Sequence, residues 1–364
     1  MQLKSIIAAI EAIAPLNYQE SYDNAGLLVG NPQMEIHKAL LCLDTTEAIV
    51  DEAIQIGANL IVAHHPIVFS GLKKLNGKNY VERVVMKAIK HDVAIYAAHT
   101  NLDNQLTGVN KAIADKLGLT NTRVLQPYAD SLVKLVTFVP TAHLEHVREA
   151  LFESGAGHIG HYEHCSFYQA GTGTFKGDSS SKPFAGVAGV EQQEQEYRLE
   201  VILPANRQNQ VVETLLQAHP YEEVAYDLIA LKNKQSTLGA GLIGVLPEPM
   251  PEISFLTLLK GQFNCKMIRH TSLLNREVSR VALCGGAGSF LLNAAKQAAA
   301  DVFVSGDFKY HEFFDAEKDI LIADIGHYES EQFTINIFYD LFKEKFPTFA
   351  VQKTNLNTNP INYL

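Results

Sequence analysis

Two adjacent histidines, His64 and His65, close an apolar run that follows Asn59, and Pro66 comes next. Neighbouring residues on a strand point to opposite faces. For both imidazoles to serve one point, the strand must end at this pair and the backbone must turn. Pro66 supports the break, because a residue before proline is pushed out of helical geometry. Imidazoles at the mouth of a parallel strand stand where open α/β sheets place their ligands. The same kind of position recurs. Asp103 closes the stretch Ala98-His-Thr-Asn-Leu-Asp103 after a second apolar run, and His327 and Glu331 follow a third. His327 and Glu331 are spaced i, i+4 at a helix start and so share a face. Glu331 in the first turn also suits the helix dipole. Three imidazoles and two carboxylates make a mixed N/O set that suits zinc, manganese or iron, and holds two ions if a carboxylate or water bridges. Singly, an i, i+4 His/Glu pair also reads as a solvated helix face. An Asp after Asn-Leu also reads as a turn residue.

Further candidates stand close by in sequence. His99 precedes Asp103 by four residues and reads either as a hydrogen-bond partner or acid/base at the metals, or as a buried structural histidine. Gly285-Gly-Ala-Gly288 after a strand either cradles a phosphate or lets backbone pack close to the metals. Asp307, Lys309 and His311 follow another strand end and are expected to line the same cavity, with Lys309 facing a substrate phosphate or pairing with Asp307. His158, His161, His164 and Cys165 resemble a second cluster, but on a strand only His158 and His164 would share a face. His219-Pro-Tyr-Glu-Glu223 reads as a strand start or interface rather than a catalytic dyad.

The elements that must position these residues alternate. A helix is expected over 2–14, a strand near 39–43, and a helix through 56 capped by Thr45 or Thr46 and ended by Gly57. Then come the strand 59–63, a helix over 80–91, a strand over 93–98 and a helix over 109–117. This is an α/β pattern with a mostly parallel sheet. It changes near 127. Strand, helix and strand then occur twice, each half opening on an apolar strand that ends in proline. That predicts an inserted ferredoxin-like (βαββαβ) domain over 128–235, with 171–182 as its exposed loop. From 236 to 364 the α/β pattern returns, with strands at 278–283, 301–304 and 320–323. A long helix is expected to run to 345, and a last strand lies near 348–352. So 1–127 and 236–364 read as two halves of one discontinuous α/β metal-binding domain.

Composition narrows the class. The chain has 364 residues, 47% hydrophobic and 19% charged, as in an ordinary globular protein. Lys plus Arg total 30 against 40 for Asp plus Glu, a net charge of −10. With no basic run to offset it, that argues against nucleic acid or an anionic membrane as partner. The cysteines Cys42, Cys165, Cys265 and Cys284 are scattered without a CxxC, which fits a reducing cytoplasm. No apolar run is long enough to span a membrane.

Several separated motifs carry a family resemblance: Ser-Tyr-Asp-Asn-Ala-Gly-Leu at 21–27, Ala-His-His-Pro at 63–66 and Ala-His-Thr-Asn-Leu-Asp at 98–103. Ser-Gly-Asp with Lys-Tyr-His at 305–311, and Gly-His-Tyr-Glu-Ser-Glu at 326–331, complete it. Together they resemble the GTP cyclohydrolase 1 type 2 homologue family, the toroidal dinuclear-metal proteins, over nearly the whole chain. The resemblance implies that His64, His65, Asp103, His327 and Glu331 bind two divalent ions, with the sites facing the cavity of a homohexameric ring. It also implies a PII/CutA-like insert, of which His219-Pro-Tyr-Glu-Glu223 is the recognisable piece. The activity implied is metal-dependent hydrolysis of a nucleotide or related small molecule. For a GTP-like substrate, a metal-bound water of lowered pKa would attack the imidazole ring of guanine. The alternative is a non-catalytic metal-binding or regulatory hexamer, with the insert as sensor or lid. With all five ligands committed to metal, His99 and His311 are the candidates for proton transfer.

Overall fold

The computed structural model describes residues 1–129 and 131–364. The chain divides into two compact units, one built from Met1–Pro127 with Thr237–Leu364 and the other from Tyr128–Ser236. No helix among the described residues is long and apolar enough to cross a membrane.

The first unit holds two sheets. One runs Gly26–Val29, Ala94–Ala97, Leu60–Ala63, Lys38–Cys42, Ala350–Lys353, with every pairing parallel except the first. Successive residues of its central strands enter different cores: Leu41, Val62 and Tyr96 one, Leu40, Ile61 and Ile95 the other. Parallel strands are covered on both faces, which is why these segments read as unbroken apolar runs. Helices Glu47–Gln55 and Tyr80–Lys90 cover one face. Each has an N-cap: Thr46 accepts the Ile49 N–H at 3.3 Å, and Asn79 accepts the Glu82 N–H at 2.9 Å.

The other sheet runs Arg269–His270, Leu321–Asp324, Val302–Gly306, Glu277–Ala287, Gly239–Pro251, Thr120–Pro127. Its three central strands from Leu321–Asp324 to Glu277–Ala287 are parallel and its outer pairings antiparallel. The expected mostly parallel sheet is therefore two sheets, the first parallel but for one edge pairing and the second mixed. Each takes one strand from the opposite end of the chain. Leu41 and Tyr96 share a continuous core with Val281, Val304, Phe255 and Phe342. Gly239–Pro251 escapes sequence reading because Pro247, Pro249 and Pro251 remove ladder donors. Its register with Glu277–Ala287 slips between Val245 and Met250, where the prolines fall. The long closing helix also proves to be two, His327–Glu331 and Thr334–Lys345.

The second unit follows the order strand Leu132–Pro140, helix Leu144–Glu153, strands Ser166–Phe175 and Gln192–Pro204, helix Gln208–Ala218, strand Tyr226–Leu231. Its antiparallel sheet runs Ser166–Phe175, Gln192–Pro204, Leu132–Pro140, Tyr226–Leu231. Val147, Leu151, Val211 and Leu215 of the helices pack on Leu135, Val139, Leu199 and Val201 of the sheet. The loop expected at 171–182 begins as strand, since Gly171, Thr172 and Gly173 pair with Glu196, Gln195 and Glu194. Ladder bonds to the neighbouring strand outweigh the low strand propensity of glycine there.

Every residue of the second unit's core lies between 128 and 236. The chain also leaves and re-enters the first unit on neighbouring strands, with Gly239 paired to Pro127. Removing 128–236 and joining the ends with a short Gly/Ser linker should therefore leave a soluble protein that melts cooperatively and binds metal. Gel filtration, a thermal melt and metal analysis test this; aggregation of the shortened chain would show that the two units depend on each other.

Candidate metal centre

The carboxyl ends of strands from both sheets of the first unit meet at one place. His64 and His65 follow Leu60–Ala63, Asp103 ends the short helix Thr100–Asp103 after Ala94–Ala97, and His327 and Glu331 bound the helix after Leu321–Asp324. The backbone turns at the histidine pair, where the Leu43 carbonyl accepts both the His64 N–H at 3.2 Å and the His65 N–H at 2.9 Å. The two rings thereby come within 4.9 Å, centre to centre.

Glu331 stands between two groups of donors. Its Oε2 lies 2.9 Å from His65 Nε2 and 3.0 Å from His327 Nε2, and these two nitrogens are 3.3 Å apart. Its Oε1 lies 3.7 Å from His64 Nε2, which is 3.6 Å from Asp103 Oδ1. His64 Nε2 and Asp103 Oδ1 are buried and make no hydrogen bond. Buried polar atoms are normally paired, and an orphaned nitrogen facing an orphaned carboxylate oxygen is an arrangement that could hold a cation. His64, Asp103 and Glu331 form one group suited to hold a metal ion, and His65, His327 and Glu331 another.

The opposite nitrogen of each ring is occupied. His64 Nδ1 meets the Ala98 carbonyl at 2.9 Å, His65 Nδ1 meets Asp44 at 2.7 Å, and His327 Nδ1 meets Asp307 at 2.7 Å. An acceptor at Nδ1 holds the proton there and turns the Nε2 lone pair inward, which is how proteins orient metal-binding histidines. Gly286 supports the same spot from below. Its φ is +59°, and a Cβ there would sit 2.4 Å from Glu331 Oε1. The glycine loop thus gives close backbone approach, with Gly286 N–H donating to Ser330 Oγ at 2.9 Å.

A family model described as Duf34/NIF3 (NGG1p interacting factor 3) matches residues 1–360. The chain belongs to the Duf34/NIF3 family. It is 40% identical over 366 residues to the GTP cyclohydrolase 1 type 2 homolog of Halalkalibacterium halodurans, covering 99% of this chain and 98% of the relative. It is 38% identical over 327 residues to the Bacillus subtilis protein of the same name, covering 89% and 88%. Among solved structures, a Bacillus cereus protein related to NIF3 superposes with a TM-score of 0.87 at 40% identity, covering 100% of this chain and 99% of that one.

Charge in this NIF3-family site is arranged around the carboxylates. Burial opposes a proton on His65, but Asp44 and Glu331 raise its pKa to about 9. On His327 burial is likewise overcome, by Asp307 and Glu331, and the pKa rises to about 11. Burial and then the charge of Glu331 lift Asp103 to about 7. Burial would raise Glu331 too, yet the imidazoles, His64 foremost, hold it well below the usual range. A metal ion at these imidazoles would compete with their protons. Burial, then Asp103 and Glu331, push the Cys284 thiol far up, so it adds no thiolate.

Sequence reasoning missed Asp44 and Asp23, and placed Asp307 only at the cavity. Asp44 also accepts the Thr358 hydroxyl at 2.6 Å, which ties the Asn-rich C-terminal tail to the site. Asp23 belongs to the Ser-Tyr-Asp-Asn motif, and that motif was the available signal. It meets His99 Nδ1 at 2.8 Å and accepts the Thr100 hydroxyl at 2.5 Å. Burial opposes this, but those bonds bring Asp23 down to about 2. His99 joins His64 and His65 in a third cluster of possible ligands. It also lines a cavity of about 400 Å³ with Asp44, His65, Phe69, His327 and Tyr328. His311 is placed elsewhere: it is exposed, meets Tyr310 edge-on, stacks on Phe314, and does not line this cavity. Lys309 is exposed at the start of the same turn, and Asp307 pairs with His327 rather than with it. Among the described residues, His158, His161, His164 and Cys165 join no possible ligand group.

Replacing Asp44 with Asn should weaken metal binding ~10- to 100-fold, the usual cost of losing a carboxylate behind a ligating histidine. Titration with zinc against a competing chelator reads this. An unchanged affinity would mean that His65 is oriented without Asp44.

Proposed function

We propose that this protein binds two divalent metal ions and is a metal-dependent hydrolase acting on a nucleotide or related small molecule. His64, Asp103 and Oε1 of Glu331 would hold one ion, and His65, His327 and Oε2 of Glu331 the other. The observation that carries this reading is Glu331 itself, a buried carboxylate whose two oxygens face two separate sets of donors. The donor set suits zinc, manganese or iron. Such ions, when bound, supply Lewis acidity and lower the pKa of water.

The chain's own residues supply the rest. Asp44, Asp307 and the Ala98 carbonyl fix the ring orientations. His99, held at Nδ1 by Asp23, keeps Nε2 free to take or give a proton beside the substrate. Phe69 and Tyr328 offer aromatic faces at the cavity, suited to a flat base. His311 remains the second candidate for proton transfer, behind His99, because it does not line this cavity. The naming of relatives as GTP cyclohydrolase 1 type 2 homologs supports a nucleotide substrate. We further read the second unit as a ferredoxin-like insert of the PII/CutA kind, and the working form as a cytoplasmic homohexameric ring without nucleic-acid or membrane partners. Its mass in solution by light scattering should be six times the 40.1 kDa of one chain.

The deciding experiment is turnover by protein loaded with zinc or manganese against GTP and a panel of nucleotides, with products identified by mass spectrometry. If the loaded protein turns over none of them, the non-catalytic metal-binding or regulatory assembly takes the place of the enzyme.

A further inference from the structure

The second unit has a cavity of its own, about 660 Å³, on the face of its sheet opposite the two helices. Its walls are aromatic: Phe138, Phe175, Phe184 and Tyr221, with the Tyr221 ring 6.3 Å from Phe175 and 6.0 Å from Phe184. Its floor is the strand segment Gly171-Thr-Gly173. Residues two apart on a strand share a face, so both glycines lie under the cavity, and Gly171 presents bare backbone to it. A Cβ on Gly171 would meet no atom within 4 Å. Glycine weakens a strand, and in a strand interior it often marks close approach by a ligand or another backbone.

Glu196 stands opposite Gly171 in the ladder and is only 8% exposed. Its Oε1 accepts the Tyr221 hydroxyl at 2.7 Å. Its Oε2 reaches over Gly173, where a Cβ would sit 2.1 Å from it, and no side chain among the described residues donates to it. A carboxylate oxygen that no protein side chain donates to can accept an N–H or attract a positive charge from a ligand, although Lys176 also lines this cavity. Arg198, at the same cavity, is already paired with Glu200 at 3.0 Å, which leaves it less able to recruit an anion. The His219-Pro-Tyr-Glu-Glu223 stretch builds this arrangement. His219 Nε2 meets the Phe138 carbonyl at 3.0 Å, and its Nδ1 accepts the Tyr221 N–H at 3.2 Å. His219 thus fixes Tyr221, and Tyr221 fixes Glu196.

The geometry points to a binding site for a flat, nitrogen-bearing aromatic molecule that turns a cationic or N–H edge to Glu196 and lays its ring on the glycine floor between the aromatic walls. Aromatic faces stack on such rings and attract their charge. A carboxylate gives its strongest hydrogen bonds to charged or amidine-like N–H groups. The volume lies within the range of small-molecule pockets. This site is separate from the metal centre and does not depend on the hydrolase reading.

The protein has no tryptophan, so the fluorescence of p-aminobenzamidine, which rises in an apolar pocket, is easily read on the full chain. Guanosine, whose N1–H and 2-amino group form one edge, serves as a second probe by competition. Saturable binding is expected, with His64→Ala binding as the parent does. Glu196→Gln should weaken it at least ~10-fold, the usual worth of a charge-assisted hydrogen bond. Gly171→Leu, whose side chain enters open space, should block it while the melting temperature stays unchanged. Failure of both probes to bind the parent would overturn the site. Unimpaired binding in Gly171→Leu would place the probes elsewhere and overturn it too. Loss in Gly171→Leu with parental binding in Glu196→Gln would refute the N–H-presenting class of ligand.

Discussion

Glu331→Ala should strip the protein of both metal ions and leave its fold standing. The parent is expected to carry close to two divalent ions per chain by elemental analysis, and the variant close to none. The reason is geometric. Each oxygen of Glu331 faces a different pair of partners, His65 with His327 and His64 with Asp103. One substitution therefore removes a ligand from both positions. Loss of a direct ligand should exceed the ~10- to 100-fold penalty typical of losing a group behind a ligand. Asp103→Asn provides the contrast, because Asp103 belongs to only one of the two groups. It should cost one ion and spare the other. His64→Ala should behave like Asp103→Asn. The fold should survive because these residues stand beyond the strand ends, while the core is held by side chains such as Leu41, Val62, Tyr96 and Val304. Two ions per chain in Glu331→Ala would overturn the assignment.

The second large effect concerns turnover. His99→Gln should keep both ions and cut the rate ~10²-fold or more, the usual contribution of a general acid/base. Glutamine retains a hydrogen-bonding group near Asp23 but cannot carry a proton across neutral pH. Asp23→Asn separates holding from chemistry. His99 would remain but lose the carboxylate that orients its ring, so the rate should fall less than in His99→Gln and the pH–rate profile should move. A parental rate in His99→Gln with both ions bound would make His99 a structural residue. The test would then pass to His311, which lies on an exposed turn.

The strands and the polar residues at their ends are legible along the chain. Leu60–Ala63 and Ala94–Ala97 are buried on both faces, so they had to be apolar throughout, and an apolar run ending in His-His or His-Thr-Asn-Leu-Asp is visible in one dimension. Helix starts were equally local: Thr46 caps Glu47–Gln55 through its own hydroxyl. Family membership was legible for the same reason, since the motifs that carry it are contiguous. Pairs far apart in the chain are set by folding alone. His65 and Glu331 are 266 residues apart and meet at 2.9 Å, because the strand ends of two sheets converge. Nothing local predicts that Ala350–Lys353 joins the first sheet or Thr120–Pro127 the second. Strand pairing is a choice among distant partners, and propensity does not make it. The same holds for the carboxylates behind the histidines. Asp44 and Asp23 look like ordinary turn residues in sequence, Asp307 reads only as a cavity residue, and the ring nitrogen that each one meets gives it its role. The glycines of Ser166–Phe175 were expected in a loop because glycine is a poor strand former. Their backbone ladder with Gln192–Pro204 made them strand, and the cavity above them is a property of that pairing.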